Sequence, residues 1–188
     1  MARTPHLFVV SGPSGVGKGT LVAKLRQRVP GLGLTVSATT RAPRKGEVDG
    51  VNYFFLTREE FDRRVANGEF VEWAEVHGNC YGTLVSEVQS KLASGSSLIL
   101  EIDVQGALQV KERFPEAVLI FIKPPSLEVL RERLVGRGTE TPETIELRMA
   151  NAADELALAD RYDDVVVNDD LDRATDELVR VLDMHERI

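Results

Sequence analysis

The stretch that decides the fold is Leu7-Phe8-Val9-Val10 followed by Ser11-Gly12-Pro13-Ser14-Gly15-Val16-Gly17-Lys18-Gly19-Thr20. It passes from a short apolar run through a glycine loop, with the pattern G-x-x-x-x-G-K, into a helical pattern. Such glycines let backbone N–H groups curl around phosphate oxygens, the helix N-terminus adds partial positive charge, and Lys18 can bridge the β- and γ-phosphates. The order strand, loop, helix predicts a site for nucleotide phosphates, with a plain structural turn as the alternative, and the loop alone does not say which reaction is catalysed. Its residues would be Gly12, Pro13, Ser14, Gly15, Val16, Gly17, Lys18, Gly19 and Thr20.

The loop departs from the usual pattern at one position. Gly19 follows Lys18, where a Ser or Thr hydroxyl ordinarily ligates Mg²⁺, and the hydroxyl of Thr20 comes one place later. Because Mg²⁺ keeps much of its hydration shell, we expect phosphates and water to hold it here. The carboxylates of Glu101 and Asp103 are further candidates, acting through water. No direct protein ligand of the metal is assigned.

Outward from the loop, short apolar runs alternate with helical patterns, which is typical of a mainly parallel α/β sheet with helices on both faces. The predicted strands are Leu7 to Val10, Leu98 to Ile102, Val118 to Ile122 and Asp164 to Val167. The predicted helices are Lys18 to Arg28, Ala107 to Phe114, Ser126 to Val135, Pro142 to about Leu158 after a Thr141 cap, and a last one from about Leu171.

The stretch 37–90 breaks this rhythm with turn glycines, aromatic residues and one short helix. That helix is predicted from the capping-box sequence Thr57-Arg58-Glu59-Glu60. We interpret the stretch as a mixed α/β insertion that builds a second substrate site on the sheet edge. The predicted division of the single domain is a core of 1–36, 91–130 and 159–188, the insertion 37–90 and a short lid 131–158.

Composition excludes several classes of protein. The chain has 188 residues with a formal net charge of −7, which disfavours a general nucleic-acid binder. Cys80 is the only cysteine, so an intramolecular disulfide is impossible, and His6, His77 and His185 have no metal-ligand spacing. No apolar run approaches the ~20 residues that span a bilayer, and the N-terminal run is too short for a signal-peptide core. We therefore expect a cytoplasmic protein without membrane partners.

The insertion opens with a basic segment, Ser37-Ala38-Thr39-Thr40-Arg41-Ala42-Pro43-Arg44-Lys45-Gly46-Glu47-Val48-Asp49-Gly50-Val51-Asn52-Tyr53. Planar guanidinium groups suit bidentate phosphate binding, and the Tyr53 phenol can donate a further hydrogen bond. The segment predicts a second phosphate site. A solvated basic loop is the alternative reading of this segment alone.

Further motifs follow: Phe70-Val71-Glu72-Trp73, Tyr81-Gly82-Thr83, Glu101-Ile102-Asp103-Val104-Gln105-Gly106, Gly136-Arg137-Gly138-Thr139-Glu140 and Val167-Asn168-Asp169-Asp170-Leu171. With the phosphate loop and the basic segment, they occur in the order found in guanylate kinases. The chain resembles that family over nearly its whole length. The resemblance implies a P-loop kinase that transfers a phosphoryl group from MgATP to GMP, and also dGMP, in purine nucleotide metabolism.

The resemblance also implies roles for individual residues. The GMP phosphate would be held by Arg41, Arg44, Tyr53 and Tyr81, and the guanine would face Ser37, Glu72, Thr83 and Asp103. A carboxylate at Glu72 can accept from guanine N1–H and the exocyclic amine, whereas adenine offers neither donor at those places. For Glu72 the alternative is an exposed acid, and for Asp103 it is a helix N-cap.

A third set of residues would act on the transferred group. By resemblance, Arg137 and Arg148 would reach the phosphoryl group in flight together with Lys18 and Arg41, and Arg133 would lie on the ATP side. Asn168 ends a strand where nucleotides bind in such sheets, so contact with adenine or a turn that caps the last helix is expected. GMP is already a dianion near neutrality, its second pKa being ~6, so no general base is needed.

Two other functions fit parts of the sequence. One is a kinase for another nucleoside monophosphate or ribosyl phosphate on the same scaffold, against which the guanine-facing set argues. The other is a phosphopeptide-binding guanylate-kinase-like module, which loses or alters the loop lysine and lid arginines present here. The sequence leaves a homodimer or higher homo-oligomer open.

Overall fold

The computed structural model describes residues 4–76, 78–136, 138 and 141–187. The strands, in chain order, are β1 (Leu7–Ser11), β2 (Gly33–Leu34), β3 (Ala38–Thr39), β4 (Phe54–Phe55), β5 (Phe70–Val76), β6 (Asn79–Leu84), β7 (Leu98–Glu101), β8 (Val118–Lys123) and β9 (Asp164–Val167). The α-helices are α1 (Lys18–Arg28), α2 (Arg58–Ala66), α3 (Val85–Ala93), α4 (Val104–Arg113), α5 (Leu127–Gly136), α6 (Pro142–Leu156) and α7 (Leu171–Glu186).

The larger sheet is fully parallel, with strand order β2-β7-β1-β8-β9. Its central strand β1 is buried along its whole length because helices cover both faces. Phe8 and Val10 pack against α1 and α7 on one face, whereas Leu7 and Val9 pack against α3 and α4 on the other. This burial on both faces explains why the strand sequences are continuously apolar.

The carboxyl ends of the parallel strands meet at one edge of the sheet, and this edge positions the site. Val10 is in register with Glu101 of β7, and Ser11 with Phe121 of β8. The loop after β1, the residues after β7 and the end of β9 are therefore neighbours.

The smaller sheet is mixed and has the order β4-β3-β6-β5. β3 and β4 are parallel, whereas β3–β6 and β5–β6 are antiparallel. Helix α2 covers it, with Phe61 stacked on Phe70 at 4.3 Å between ring centroids. The Thr57 hydroxyl caps α2 by accepting from the Glu60 amide at 3.1 Å. The Glu60 carboxylate, however, accepts from arginines of the same helix, so only half of the predicted capping box is seen.

The predicted fold class is confirmed, and the predicted bounds of α1 and β9 agree with the structure. One helix start was wrong: α4 begins at Val104 and not at Ala107, because the Asp103 carboxylate caps it by accepting from Gly106 N at 2.6 Å. The expectation of one short helix in 37–90 was incomplete, since α3 begins at Val85.

Cys80 is buried. Within the described residues, no helix is both long and apolar enough to cross a membrane.

Candidate active site

The loop between β1 and α1 has the backbone form that a phosphate site requires. Gly12 has a φ of 145°, and a Cβ there would collide with the carbonyl oxygen of Ile122 on β8. Gly17 caps α1 in the left-handed conformation, with φ 97°. Only glycine tolerates both features, so the two glycines of the sequence motif have specific structural causes.

Two cations lie on this loop. The Lys18 ammonium donates to the carbonyls of Gly12 and Pro13, at 2.5 and 3.1 Å. From α6, the Arg148 guanidinium donates to the Ser14 hydroxyl. Lys18 and Arg148 were predicted from sequence to act together, and the structure brings both onto one loop. Arg137 lies outside the described residues, as does His77.

The predicted ATP-side residues Arg133 and Asn168 contact the loop itself. Asn168 is buried and its Nδ2 donates to the Val16 carbonyl at 2.8 Å. Arg133 donates from Nη1 to the same carbonyl at 3.3 Å and from Nη2 to the Asn168 carbonyl at 2.8 Å. The expected cap of the last helix is supplied by Asp170, whose carboxylate accepts from Arg173 N at 2.9 Å.

The basic segment forms a compact cluster around Arg41. The Arg41 Nη2 donates to both carboxylate oxygens of Glu47, at 2.8 and 3.0 Å, and its guanidinium lies 5.3 Å from the centroid of the Tyr53 ring. The Tyr53 and Tyr81 rings are in edge contact at 6.2 Å. Glu47 raises the pKa of Arg41, which keeps this group a fixed cation. Three of the four predicted phosphate ligands are therefore adjacent.

The fourth predicted phosphate ligand, Arg44, has an exposed side chain, and its backbone N–H donates to Glu47 at 2.7 Å. Ser37 lies just before β3, and its carbonyl accepts from Phe54 N at 2.9 Å. Neither contact tests the predicted side-chain role. Glu47, which joins Arg41 to Arg44, was not predicted, although it lies inside the basic segment and its charge was a usable signal.

The acids predicted to face guanine form a second cluster. Thr83, on β6, donates to Glu72 Oε1 at 2.8 Å across the β5–β6 pair. Burial raises the pKa of Glu72, the Thr83 hydrogen bond acts against that rise, and the Asp103 charge adds to it. A Cβ placed on Gly106 would lie 3.2 Å from Asp103 Oδ1 and 3.6 Å from Glu72 Oε2. The two predicted acids therefore flank the start of α4.

Asp103 lies two residues beyond the end of β7, at the carboxyl edge of the large sheet where the phosphate loop also begins. Beside it lies a cavity of about 400 Å³ between the start of α4 and α6, lined in part by Asp103, Asn151 and Glu155. Burial raises the pKa of Glu155 and the Lys18 charge opposes that rise, so Glu155 is within electrostatic range of the loop. It was missed because it occupies an ordinary position of an amphipathic helix.

The residues at the end of the loop fit a hydrated Mg²⁺. The position a Gly19 Cβ would take is 3.6 and 3.7 Å from the two Glu101 carboxylate oxygens, which leaves an oxygen donor beside the place where the usual hydroxyl is missing. Burial raises the pKa of Glu101, and Lys18 opposes that shift. Among the described residues no group of three or more His, Cys, Asp or Glu side chains is arranged to hold a metal. The donor set suits contact through water.

Comparison with known proteins gives a consistent result. The profile of the guanylate kinase family matches residues 4–185. A guanylate kinase of Gloeobacter violaceus is 57% identical over 177 residues, covering 94% of this chain and 86% of the relative. One of Halalkalibacterium halodurans is 54% identical over 176 residues, with the same two coverages. The crystal structure of guanylate kinase from Anaplasma phagocytophilum aligns with a TM-score of 0.70 at 36% identity, covering 98% of this chain and 87% of that one.

Proposed function

We propose that this chain, which belongs to the guanylate kinase family, transfers the γ-phosphoryl group of ATP to GMP and forms ADP and GDP. The observation that carries the proposal is the position of Asp103. It lies beside Glu72 at the start of α4 and follows the strand whose Glu101 is in register with the residues entering the phosphate loop. The acid pair that we propose for guanine and the loop that we propose for the triphosphate therefore lie at the same end of the large sheet.

The donor half of the site is the loop 12–20. Its backbone N–H groups and the Lys18 ammonium would bind the ATP phosphates. In the present geometry that ammonium donates to the Gly12 and Pro13 carbonyls of the loop. Mg²⁺ bound with ATP would neutralise charge on the β- and γ-phosphates, and Glu101 would hold its water shell, with Asp103 as a second candidate.

The acceptor half is the region 37–90. Arg41, Arg44, Tyr53 and Tyr81 would hold the GMP phosphate, since a dianion prefers charge-assisted hydrogen bonds. Glu72 would accept from guanine N1–H and the exocyclic amine, one on each carboxylate oxygen, while the Thr83 hydroxyl donates a further hydrogen bond to Oε1. Ser37 and Asp103 would complete the guanine contacts. This pattern of donors would accept dGMP as well, because none of these proposed contacts involves the 2′-hydroxyl.

The transfer itself needs charge and alignment more than proton chemistry. Negative charge spreads over the equatorial oxygens of the transferred group, and cations placed in advance stabilise it. Lys18 and Arg41 would approach from the two substrate sides, and Arg148 and Arg137 from the region 131–158, which we propose as the lid. Arg148 already reaches the loop through Ser14. Closure of the lid would exclude water and limit wasteful hydrolysis of ATP.

The remaining assignments are also proposals. The core of 1–36, 91–130 and 159–188 would carry the acceptor region and lid as movable parts. We place the enzyme in the cytoplasm, in purine nucleotide metabolism, with ATP and GMP as its partners rather than nucleic acid or membrane. Assembly into a homodimer or higher homo-oligomer stays open to measurement.

A coupled ADP-release assay tests the proposal. MgATP is supplied with each of GMP, AMP, UMP, CMP and dTMP to wild type, Lys18→Ala and the control Lys24→Ala, which removes a lysine of the same helix that pairs with Asp172. We expect rapid ADP formation with GMP alone, lost in Lys18→Ala and kept in Lys24→Ala. Turnover of another monophosphate instead of GMP would contradict the proposal, and GMP binding without turnover would favour a binding module.

A further inference from the structure

We infer that Asn168 and Arg133 are positioning residues of the phosphate loop, which act by holding the Val16–Gly17 peptide in the orientation that presents its N–H to phosphate. The inference deepens the proposed function, on which it rests for the identity of the nucleotide. It concerns how the loop is shaped rather than which atoms touch the substrate.

Three hydrogen bonds converge on this peptide and its support. The Val16 carbonyl accepts from Asn168 Nδ2 at 2.8 Å and from Arg133 Nη1 at 3.3 Å, and Arg133 Nη2 donates to the Asn168 carbonyl at 2.8 Å. The Asn168 backbone N–H in turn donates to the carbonyl of Lys123 at the end of β8, at 2.8 Å. The loop is thus tied through Asn168 to the rigid parallel sheet.

The orientation of the peptide follows from its planarity. No peptide bond among the described residues is cis, and in a trans peptide the C=O and N–H point in opposite directions. Because the Val16 carbonyl points to Asn168, the Gly17 N–H points away from Asn168. Backbone N–H groups of this loop are the groups that cradle phosphates. A flipped peptide would instead present a carbonyl oxygen, which repels an anion.

The environment of Gly17 supports the same role. Its φ of 97° is needed for this peptide orientation, and a Cβ there would lie 2.7 Å from Asn168 Nδ2. The Asn168 side chain therefore packs directly against the loop, and the residue is only 7% exposed. A buried amide whose donor is committed to a loop carbonyl is placed for support. Direct adenine contact, which the sequence also suggested, makes a different and separable prediction.

Base-free and base-containing ligands distinguish the two roles. Dissociation constants for ATP, GTP and inorganic tripolyphosphate are measured by calorimetry on wild type, Asn168→Ala and Asn168→Asp. We expect all three ligands to bind about tenfold more weakly in Asn168→Ala, by similar factors, because one hydrogen bond to the loop is lost. Asn168→Asp should be weaker still, since a carboxylate oxygen would face the Val16 carbonyl. The KM for ATP should rise while the KM for GMP stays within twofold.

The control is Arg173→Met, which removes an exposed cation near the same strand end that pairs with Asp169 and should change no constant by more than twofold. Arg133→Lys keeps the positive charge but cannot bridge the Val16 and Asn168 carbonyls as the guanidinium does, and it should weaken tripolyphosphate binding as well. It keeps the test intact if changes at position 168 unfold the protein. Weaker binding of ATP with unchanged binding of tripolyphosphate would overturn the inference in favour of a contact with the base. Unchanged binding of both ligands would also overturn it. Tripolyphosphate binding needs no turnover, so its dissociation constant can be measured even if the wild-type protein fails to phosphorylate GMP.

Discussion

Replacing Glu72 with glutamine is expected to lower kcat/KM for GMP by about 10²- to 10³-fold. The Glu72 carboxylate has one oxygen fixed by Thr83 at 2.8 Å, and it faces the two guanine donors in the proposed complex. The amide of glutamine keeps one acceptor but turns a donor toward a guanine donor. Hydrogen bonds to a charged group contribute about 1.5–3 kcal/mol each. Losing one of the two guanine hydrogen bonds and weakening the second, whose acceptor is no longer charged, costs about 3–4 kcal/mol in total. At about 1.4 kcal/mol per tenfold change, that gives the stated factor.

The assay is steady-state ADP release with GMP varied at saturating MgATP, then with ATP varied at saturating GMP. The matched control is Glu75→Gln, which lies on the same strand and pairs with exposed Arg58, and it should stay within twofold of wild type. The ATP dissociation constant should be unchanged in both variants. If Glu72→Gln keeps kcat/KM for GMP within fivefold of wild type, or loses ATP binding to the same extent, Glu72 does not recognise guanine.

The same substitution has a stability consequence whose sign follows from the pKa. Burial raises the pKa of Glu72 above its unfolded value of ~4.3, so the folded state binds this proton more tightly. The contribution of Glu72 to stability therefore falls as pH rises from the unfolded value through the raised one. Glu72→Gln lacks this cost and should melt at or above the wild-type temperature at pH 7, with the difference shrinking below about pH 4. Thermal melts at both pH values measure it.

Three more predictions concern single residues. Gly17→Ala should weaken ATP binding at least tenfold in calorimetry, because alanine opposes the positive φ and its Cβ meets Asn168 Nδ2; normal affinity would show that the loop tolerates a side chain. Asp103→Ala should lower the free energy of unfolding by about 1 kcal/mol in urea titration through loss of the cap on Gly106 N, and no change would mean that the cap is dispensable. Two arginines of α2 lower the pKa of Glu60 to about 2, so its stabilisation is complete above ~pH 4.5 and lost as pH falls toward 2. The gap in melting temperature between wild type and Glu60→Gln should close over that interval, and a constant gap would refute the linkage.

The core of the fold could be predicted because its signals are local. A doubly buried parallel strand is continuously apolar, and a glycine loop between such a strand and a helix is the context that the phosphate-loop motif requires. For this reason β1, α1 and the later strands of the large sheet were predicted close to their observed bounds. Two-residue strands such as β2 and β4 carry too little pattern to be seen, and their pairing depends on distant residues.

Cap chemistry explains one helix error and one partial success. The sequence offers Asp103 as a possible N-cap, yet the predicted helix begins at Ala107, three residues after the observed start of α4. At Thr57 the cap was predicted correctly, but its partner Glu60 is drawn to two arginines one turn further along the helix. Side-chain competition of that kind is set by geometry that a linear pattern does not contain.

The residues of the candidate site could be predicted from their types and from the order of the motifs. The contacts that join these residues to one another could not. Glu47 between Arg41 and Arg44, and Glu155 near Lys18, join the predicted groups through space. Asn168 was expected at the nucleotide for its position at a strand end, but its contact with the Val16 carbonyl depends on how the loop folds back on β9. Contacts of this kind are set by the three-dimensional fold and leave no pattern in the sequence.

The most direct test of phosphoryl transfer to GMP follows the transferred atoms. ATP labelled with ¹⁸O in its γ-phosphoryl group is incubated with GMP, Mg²⁺ and enzyme, and the products are analysed by mass spectrometry. If GMP is the acceptor, the label appears in the β-phosphate of GDP, in equal amount to the ADP formed, with little in inorganic phosphate. Label recovered mainly in inorganic phosphate would mean that water is the acceptor, and it would rule out phosphoryl transfer to GMP.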